Sequence, residues 1–247
     1  MNYYIIAGEA SGDLHSSNLM KALLNKDVNA NFRFWGGDLM QQVSDGLVKH
    51  YKDLAFMGFL EVIMNLKTIS KNLSFCKEDI LNYNPDVIIF IDYPGFNLRI
   101  AKWAKQKGFK THYYISPQIW AWKENRINDI KRDVDKMYVI LPFEKTFYEN
   151  KHHYPVEFVG HPLLDAIADR TQVDEYEFRK QYALSDKPII ALLPGSRKQE
   201  ISKMLSVMLS VVDKFPKHQF VIAGAPSQDF NFYKTFIKNK NISFVSN

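Results

Sequence analysis

The chain has 247 residues, 46% hydrophobic and 24% charged, which is the balance of a folded chain with one large or two modest domains and excludes a disordered one. Its single cysteine, Cys76, excludes an internal disulfide and a cysteine-rich metal site, and points to the cytoplasm. No run approaches the length of a membrane-spanning helix, and Met1–Ala7 is too short for a signal sequence.

Short β-rich runs alternate with amphipathic stretches along the chain. Tyr3–Ala7, Phe32–Trp35, Val87–Ile91, Thr111–Ile115 and Met137–Ile140 read as strands, and Ser16–Leu24, Phe59–Tyr83, Leu98–Lys107 and Phe143–Asn150 as helices. "DVIIFID" is apolar on both faces, as a strand covered by helices on both sides must be. The pattern predicts a doubly wound α/β domain, with ligands beyond the carboxyl ends of its strands. Polar residues from Asp165 to Asp186, with a small helix near Tyr176–Tyr182, make a connection to a second α/β unit. That unit comprises "KPIIALLPGSR" (Lys187–Arg197), a helix through Phe215, "HQFVIAGAP" (His218–Pro226), a further helix and "ISFV" (Ile242–Val245). The expected boundaries are 1–165 and 166–247, the second domain being incomplete because three strands are fewer than such a domain normally has.

Three turns carry chemistry. In "IIAGEASGD" (Ile5–Asp13), Gly8 and Gly12 permit positive φ or close backbone approach where a strand enters a helix. Glu9 and Asp13 would repel a phosphate, so with Ser11 and Gly12 they suit recognition of hydroxyl or amide groups. The turn is neither a G-x-x-x-x-G-K-[ST] loop nor a G-x-G-x-x-G fingerprint, and the alternative is a plain turn with a Ser or Asp cap. In "IDYPGFNL" (Ile91–Leu98), Asp92 ends a strand expected to be central, where a carboxylate is costly without a task. It is placed as a general base for a hydroxyl nucleophile; the alternative is a cap for the helix that Asn97 enters. In "LLPGSRKQEI" (Leu192–Ile201), the backbone at Gly195 and Ser196 and the Arg197 guanidinium suit a departing diphosphate. Glu200 is either a capping-box partner of Ser196 or the salt-bridge partner of Arg197.

Net charge is +5, and Arg99–Lys136 alone carries ten Lys/Arg against four Asp/Glu. A basic segment of that kind fits an anionic membrane surface, a phosphorylated substrate or nucleic acid, or simply a solvated pair of helices. "PQIWAWK" (Pro117–Lys123) places Trp120 and Trp122 in an irregular stretch, either lining an acyl or sugar pocket or packing under a loop. "FMGFLEVIMNL" (Phe56–Leu66) is more apolar than an exposed helix, which makes Met57, Phe59, Leu60, Val62 and Ile63 core residues or an acyl- and membrane-facing surface. His161 of "VGHP" stands at the domain junction, structural or touching substrate.

In order, "AGEASGD", "MGFLEV", "IDYPGFNL", "SPQIWAWK", "LPFEK", "FVGHPLLD" and "LLPGSRKQEI" resemble the lipid-A-disaccharide synthase family across nearly the whole chain. The resemblance implies a GT-B fold, two Rossmann-like domains with the active site between them. It implies an inverting transfer of 2,3-diacylglucosamine from its UDP conjugate to the 6-hydroxyl of 2,3-diacylglucosamine 1-phosphate (lipid X), with no metal or organic cofactor. Asp92 matches the family's proposed base, Arg197 with Gly195–Ser196 the region facing the donor diphosphate, and "MGFLEVIMNL" the surface meeting acyl chains and membrane. The implied setting is the cytoplasmic face of the inner membrane, bound peripherally, with a homodimer for full-length members and no nucleic-acid partner. This sequence departs from the family at Gly95, often acidic there, and near Ser16, often glycine. It also stops before the family's Ser-Gly-Thr-rich donor-binding stretch, so the chain by itself is expected to be weak or inactive. Competing readings are a catalytically silent UDP-sugar- or lipid-binding fragment, a UDP-GlcNAc epimerase and a peptidoglycan GlcNAc transferase.

Overall fold

Every residue from Tyr3 to Ala7 is buried, and alternate side chains enter two different cores. Only a strand with a packed layer on each face buries its residues in this way. The computed structural model describes residues 1–54, 66–168, 172–226, 228–237 and 242–246. It divides into two units, Met1–Asp169 and Arg170–Asn247.

The first unit is a seven-stranded parallel sheet of β1 (Asn2–Ala7), β2 (Asn31–Gly36), β3 (Leu47–His50), β4 (Val87–Ile91), β5 (Thr111–Tyr114), β6 (Lys136–Val139) and β7 (Glu157–Phe158), in the order β3-β2-β1-β4-β5-β6-β7. In register, Ile5 lies between Phe34 and Ile89. On one face Tyr3, Ile5, Phe34 and Ile89 pack with Met20 of helix α1 (Ala10–Leu24) and Met40 of the single turn α2 (Asp38–Gln41). On the other, Tyr4, Ile6, Ile88 and Phe90 meet Cys76 and Ile80 of α3 (Leu66–Tyr83) and Ile100 and Ala104 of α4 (Pro94–Gln106). Shorter helices α5 (Ile127–Asp133), α6 (Pro142–Thr146) and α7 (Leu163–Ala168) follow the outer strands. The expected strands are present, with two short additional ones, β3 and β7, at the edges of the sheet.

Two buried carboxylates hold this unit together. Asp79 of α3 accepts from the Tyr4 hydroxyl (2.8 Å) and from Arg33 Nε (2.8 Å), while Trp35 Nε1 donates to the Tyr4 oxygen (3.0 Å), so strands β1 and β2 are tied to one helix. Asp13 of α1 accepts from the backbone N–H groups of Gly37 (2.8 Å), Leu39 (3.1 Å) and Met40 (3.0 Å). Its carboxylate thus satisfies the start of α2, whose amides have no intrahelical partner.

The second unit repeats the strand–turn–helix unit on a smaller scale. Strands β8 (Ile189–Leu192), β9 (Gln219–Ala223) and β10 (Ile242–Val245) are parallel in the order β10-β9-β8. Helices α8 (Glu175–Gln181), α9 (Lys198–Leu209) and α10 (Phe230–Lys234) accompany them, and Leu192, Ile201, Leu205, Phe220, Ile222 and Tyr233 form the core. Replacing Asp13 by alanine leaves three amides in a buried setting without their acceptor. Asp13→Ala is expected to lower unfolding stability by about 3 kcal/mol, read as a shift in a urea melt with unchanged slope.

Candidate active site

The strand order reverses between β1 and β4, because α1 leaves β1 on one face and α4 leaves β4 on the other. A crevice opens beyond the carboxyl ends of strands at such a switch point. Ala7 and Ile91 are the last registered pair, so the turns Gly8–Asp13 and Asp92–Asn97 form its two walls.

The glycines of the first wall are explained by close approach, and neither adopts positive φ. A Cβ on Gly8 would lie 2.4 Å from the Tyr93 ring, and one on Gly12 would lie 3.1 Å from the Ala7 Cβ. Gly12 is therefore buried under the helix–strand contact rather than presented to a ligand. Asp13 is likewise drawn away from the crevice by the α2 amides, which leaves Glu9, half-buried, and Ser11, exposed, as the polar side chains of this wall. Ser16, two turns into α1, is fully buried, so its side chain belongs to the packing.

The second wall begins with two consecutive left-handed residues, Asp92 (φ 40°) and Tyr93 (φ 47°). Each such residue costs about 1–2 kcal/mol without a glycine. The surrounding structure holds them there. Asn97 Nδ2 donates to the carbonyls of Asp92 (2.8 Å), Ile91 (3.2 Å) and Ile6 (3.4 Å), and the Tyr113 hydroxyl also donates to the Asp92 carbonyl. Asn97 was expected to contact substrate; it is fully buried and shapes the rim from beneath. The Asp92 backbone is thereby clamped while its side chain stands half-buried at the end of β4. Burial pushes the Tyr113 hydroxyl well above its ordinary range, with the Asp92 charge adding to the effect. Burial and the nearby Glu9 carboxylate raise that of Tyr93, whose ring also stacks on Phe96. Gly95 is exposed and has nothing within 4 Å of a would-be Cβ.

Strand β5 also ends in a left-handed residue, the β-branched Ile115 (φ 65°). The loop after it is anchored by Glu144, 1% exposed, whose carboxylate accepts from Ser116 Oγ (2.8 Å), Trp120 Nε1 (3.2 Å) and the N–H groups of Ile140 (3.1 Å) and Leu141 (2.9 Å). The "SPQIWAWK" and "LPFEK" segments are thus one assembly. It fixes Trp120 edge-on against Phe143 and leaves Trp122 56% exposed, with Lys123 Nζ 4.7 Å and the Arg126 guanidinium 5.3 Å from its ring centre. Met57, Phe59, Leu60, Val62 and Ile63 lie outside the described residues.

Sequence reasoning missed Tyr93, Tyr113 and Glu144, whose partners are distant in sequence, and gave no role to His15. His15 lies one helical turn beyond Ser11; its Nδ1 is buried without a hydrogen-bond partner. His161 follows the left-handed Gly160 (φ 79°), and its Nδ1 accepts from the Leu163 N–H (3.2 Å). A depression of about 580 Å³ lies at the opposite pole, beside the amino ends of β4, β5 and β6. Its lysines include Lys105, paired with Asp135, and Lys136, paired with Glu157. The crevice logic of parallel sheets favours the other pole for chemistry.

In the second unit, the turn after β8 is exposed and Gly195 takes φ 108°. A Cβ there would meet Glu200 Oε2 at 2.8 Å, so glycine is required twice over. Arg197 is the residue preceding α9, and its Nη1 lies 3.6 Å from Glu200 Oε1. The Ser196 carbonyl accepts from Gln228 Nε2 at 3.2 Å. Gly195, Ser196, Arg197 and Glu200 are therefore gathered at one helix start. Among the described residues, no group of three or more His, Cys, Asp or Glu side chains is placed to hold a metal ion, and no helix is long and apolar enough to cross a membrane.

Two Rossmann-like units, each with its glycine turn at the carboxyl end of a first strand, define a GT-B-type α/β protein. The UDP-GlcNAc 2-epimerase of Neisseria meningitidis, solved bound to UDP-GlcNAc, superposes with a TM-score of 0.63 at 11% identity over 100% of this chain and 72% of its own. That likeness bears on fold alone. The family model for lipid-A-disaccharide synthetase matches residues 3–244, and the chain belongs to that family. It is 42% identical over 245 residues to lipid-A-disaccharide synthase 1 of Legionella pneumophila (strain Paris), and 41% identical over 223 residues to the lipid-A-disaccharide synthase of Coxiella burnetii (strain Dugway 5J108-111). These alignments cover 97% and 88% of this chain but 63% and 58% of the relatives, so it spans about three fifths of their length.

Burial, and secondarily His161, hold His15 below the ordinary histidine range. A lowered histidine pKa removes stability as pH falls, because the unfolded chain then binds the extra proton. An NMR titration should show the His15 ring protonating below the unfolded-state value, with His15→Gln flattening the loss of stability between about pH 7 and pH 5.

Proposed function

We propose that this chain carries the acceptor wall and part of the donor wall of an inverting glycosyltransferase that makes lipid A disaccharide 1-phosphate. The donor is UDP-2,3-diacylglucosamine and the acceptor 2,3-diacylglucosamine 1-phosphate. The observation that carries this is the clamped, strained Asp92 at the switch point of a chain that belongs to the lipid-A-disaccharide synthetase family.

In this reading the Asp92 carboxylate takes the proton of the acceptor 6-hydroxyl as that oxygen attacks the anomeric carbon of the donor. The new glycosidic bond forms on the face opposite the leaving group, and the bond from the anomeric carbon to the UDP oxygen breaks with its electron pair. Arg197 and the backbone at Gly195 and Ser196 offset the charge that collects on the departing diphosphate. Glu200 keeps the guanidinium oriented while it waits. Glu9 and Ser11 serve sugar hydroxyls, since a carboxylate accepts from hydroxyl groups and repels phosphate.

Membrane contact is part of the same proposal, because both substrates carry acyl chains. Trp122, exposed and flanked by Lys123 and Arg126, has the amphipathic ring and cationic fringe suited to the headgroup region of an anionic bilayer. Trp120, packed edge-on against Phe143, is proposed as a second aromatic contact of the same kind. Met57, Phe59, Leu60, Val62 and Ile63 are proposed, from the sequence, as the acyl-facing residues. Residues 1–165 and 166–247 are proposed as the acceptor and donor domains.

The decisive assay is formation of disaccharide 1-phosphate from the two lipids in detergent. It compares this chain, a chain extended to the relatives' length, and the extended Asp92→Asn variant. The extended wild type is expected to make product, and Asp92→Asn to lose about 10²- to 10⁴-fold in turnover with an unchanged circular dichroism spectrum. Turnover of non-acylated UDP-sugar in place of these lipids would leave only the fold standing and favour an epimerase-like activity. Separately, Trp122→Ala is expected to weaken sedimentation with anionic phospholipid vesicles by roughly fivefold, and to leave binding to neutral vesicles nearly unchanged.

A further inference from the structure

The acceptor named above is already substituted at C1, C2 and C3 of its sugar, so the free hydroxyls of that sugar are O4 and O6. They lie along the same edge of the pyranose, and only O6 is to form a bond. A site that brings O6 to Asp92 therefore brings O4 beside it, and has to restrain that second nucleophile. The residue next to Asp92 at the rim is Tyr93.

Tyr93 belongs to one wall of the crevice and lies against the other. It follows β4, whereas a Cβ on Gly8, the first residue beyond β1, would stand 2.4 Å from both its Cγ and its Cδ1. Ala7 and Ile91 are paired in register, so the ring crosses the switch point from the β4 side to the β1 side. Phe96 of α4 stacks on it, with ring centres 5.7 Å apart and 27° between the planes. Its backbone is left-handed (φ 47°, ψ 50°), which glycine or asparagine would adopt at less cost than an aromatic residue. Packing accounts for the ring but not for its hydroxyl, because a phenylalanine would stack on Phe96 and cover Gly8 equally well. A tyrosine hydroxyl in a buried setting ordinarily finds a partner, as that of Tyr113 does on the Asp92 carbonyl. The half-buried Tyr93 has no hydrogen-bond partner for its hydroxyl among the described residues. Burial and the Glu9 charge raise that hydroxyl above its ordinary range, so it stays a neutral donor.

A carboxylate that accepted the O4 proton would sharpen O4 as a nucleophile, as Asp92 is there to do for O6. A phenol that donates to O4 does the reverse, because it engages a lone pair of that oxygen. We infer that the Tyr93 hydroxyl is a specificity-determining contact of the acceptor site, donating a hydrogen bond to O4 of the acceptor sugar while Asp92 receives the proton of O6. This rests on the acceptor reading of the first unit. O4 is thereby held away from the anomeric carbon of the donor, and O6 alone attacks. Tyr93 keeps its proton throughout, so the contact sets which hydroxyl reacts and takes no part in the transfer itself. The stack on Phe96 and the close approach to Gly8 make the position of the hydroxyl a fixed property of the rim, set before the sugar arrives.

The test is a cycle of calorimetric binding measurements on the full 247-residue chain in detergent micelles. The proteins are the wild type and Tyr93→Phe, which keeps the ring and removes only the hydroxyl. The ligands are 2,3-diacylglucosamine 1-phosphate and its 4-deoxy and 6-deoxy analogues. The wild type is expected to bind the 4-deoxy lipid about fivefold more weakly than the parent lipid. Tyr93→Phe should bind the parent lipid about fivefold more weakly than the wild type does, and should lose nothing further on the 4-deoxy lipid. The 6-deoxy lipid should be weakened by the same factor in both proteins, because O6 belongs to Asp92. A merely structural tyrosine would weaken all three lipids alike, and that result overturns the inference. Equal binding of the parent and 4-deoxy lipids by the wild type overturns it too, and leaves the glycosyl-transfer reading intact. Loss on the 6-deoxy lipid that disappears in Tyr93→Phe assigns the hydroxyl to O6 instead and overturns the choice of O4. Failure of the wild type to bind any of the three lipids overturns the acceptor reading and the contact together.

Discussion

The first unit depends on how one carbonyl is held. Asp92 and Tyr93 occupy left-handed backbone, which neither would adopt in an isolated peptide, and the Asp92 carbonyl is fixed from two directions by the Asn97 amide and the Tyr113 hydroxyl. Asn97 also holds the carbonyls of Ile6 and Ile91, so the ends of β1 and β4 and the start of α4 share one side chain. The strain turns the chain sharply enough to leave the Asp92 carboxylate at the rim while its own backbone stays paired. The Tyr93 ring is laid over Gly8 by the same turn, and Gly8 has no room for a side chain because of it.

Five acidic residues of the first unit show two kinds of use. Asp13, Asp79 and Glu144 are almost completely buried, and each carboxylate is surrounded by donors that make it a structural tie. Glu9 and Asp92 are left partly open at the switch point. Buried carboxylates with full sets of donors are rigid, whereas a half-buried one keeps the freedom to exchange a proton with a ligand. The fold therefore sorts chemically identical groups by how deeply each is buried.

Much of this was legible in the sequence. Apolar runs such as Val87–Ile91 and the glycine turns after β1, β4 and β8 are local signals, and they give the alternation of strands and helices and the position of the rim. Strands β3 and β7 escaped notice because four and two residues, "LVKH" and "EF", carry too little periodicity. Asp13, Gly12 and Asn97 were legible as unusual but not in their direction. Each sits beside the crevice in sequence and faces away from it, because its partner is α2, Ala7 or a strand carbonyl. The convergence of Ser116, Trp120 and Glu144 depends on adjacency of β5 and β6 exits, a property of topology that single-sequence patterns do not contain.

That last assembly has a consequence for the timescales on which the rim moves. The N–H groups of Ile140 and Leu141 point into the Glu144 carboxylate instead of toward water, although they belong to a loop. Releasing them means separating a buried charge from four donors at once, so the stretch from Ser116 to Glu144 contains an island of slow hydrogen exchange set within irregular backbone. The exposed indole of Trp122 rides above that island on a few residues of freer chain. Rotation of the ring can therefore be fast while its anchorage is renewed only in rare local openings.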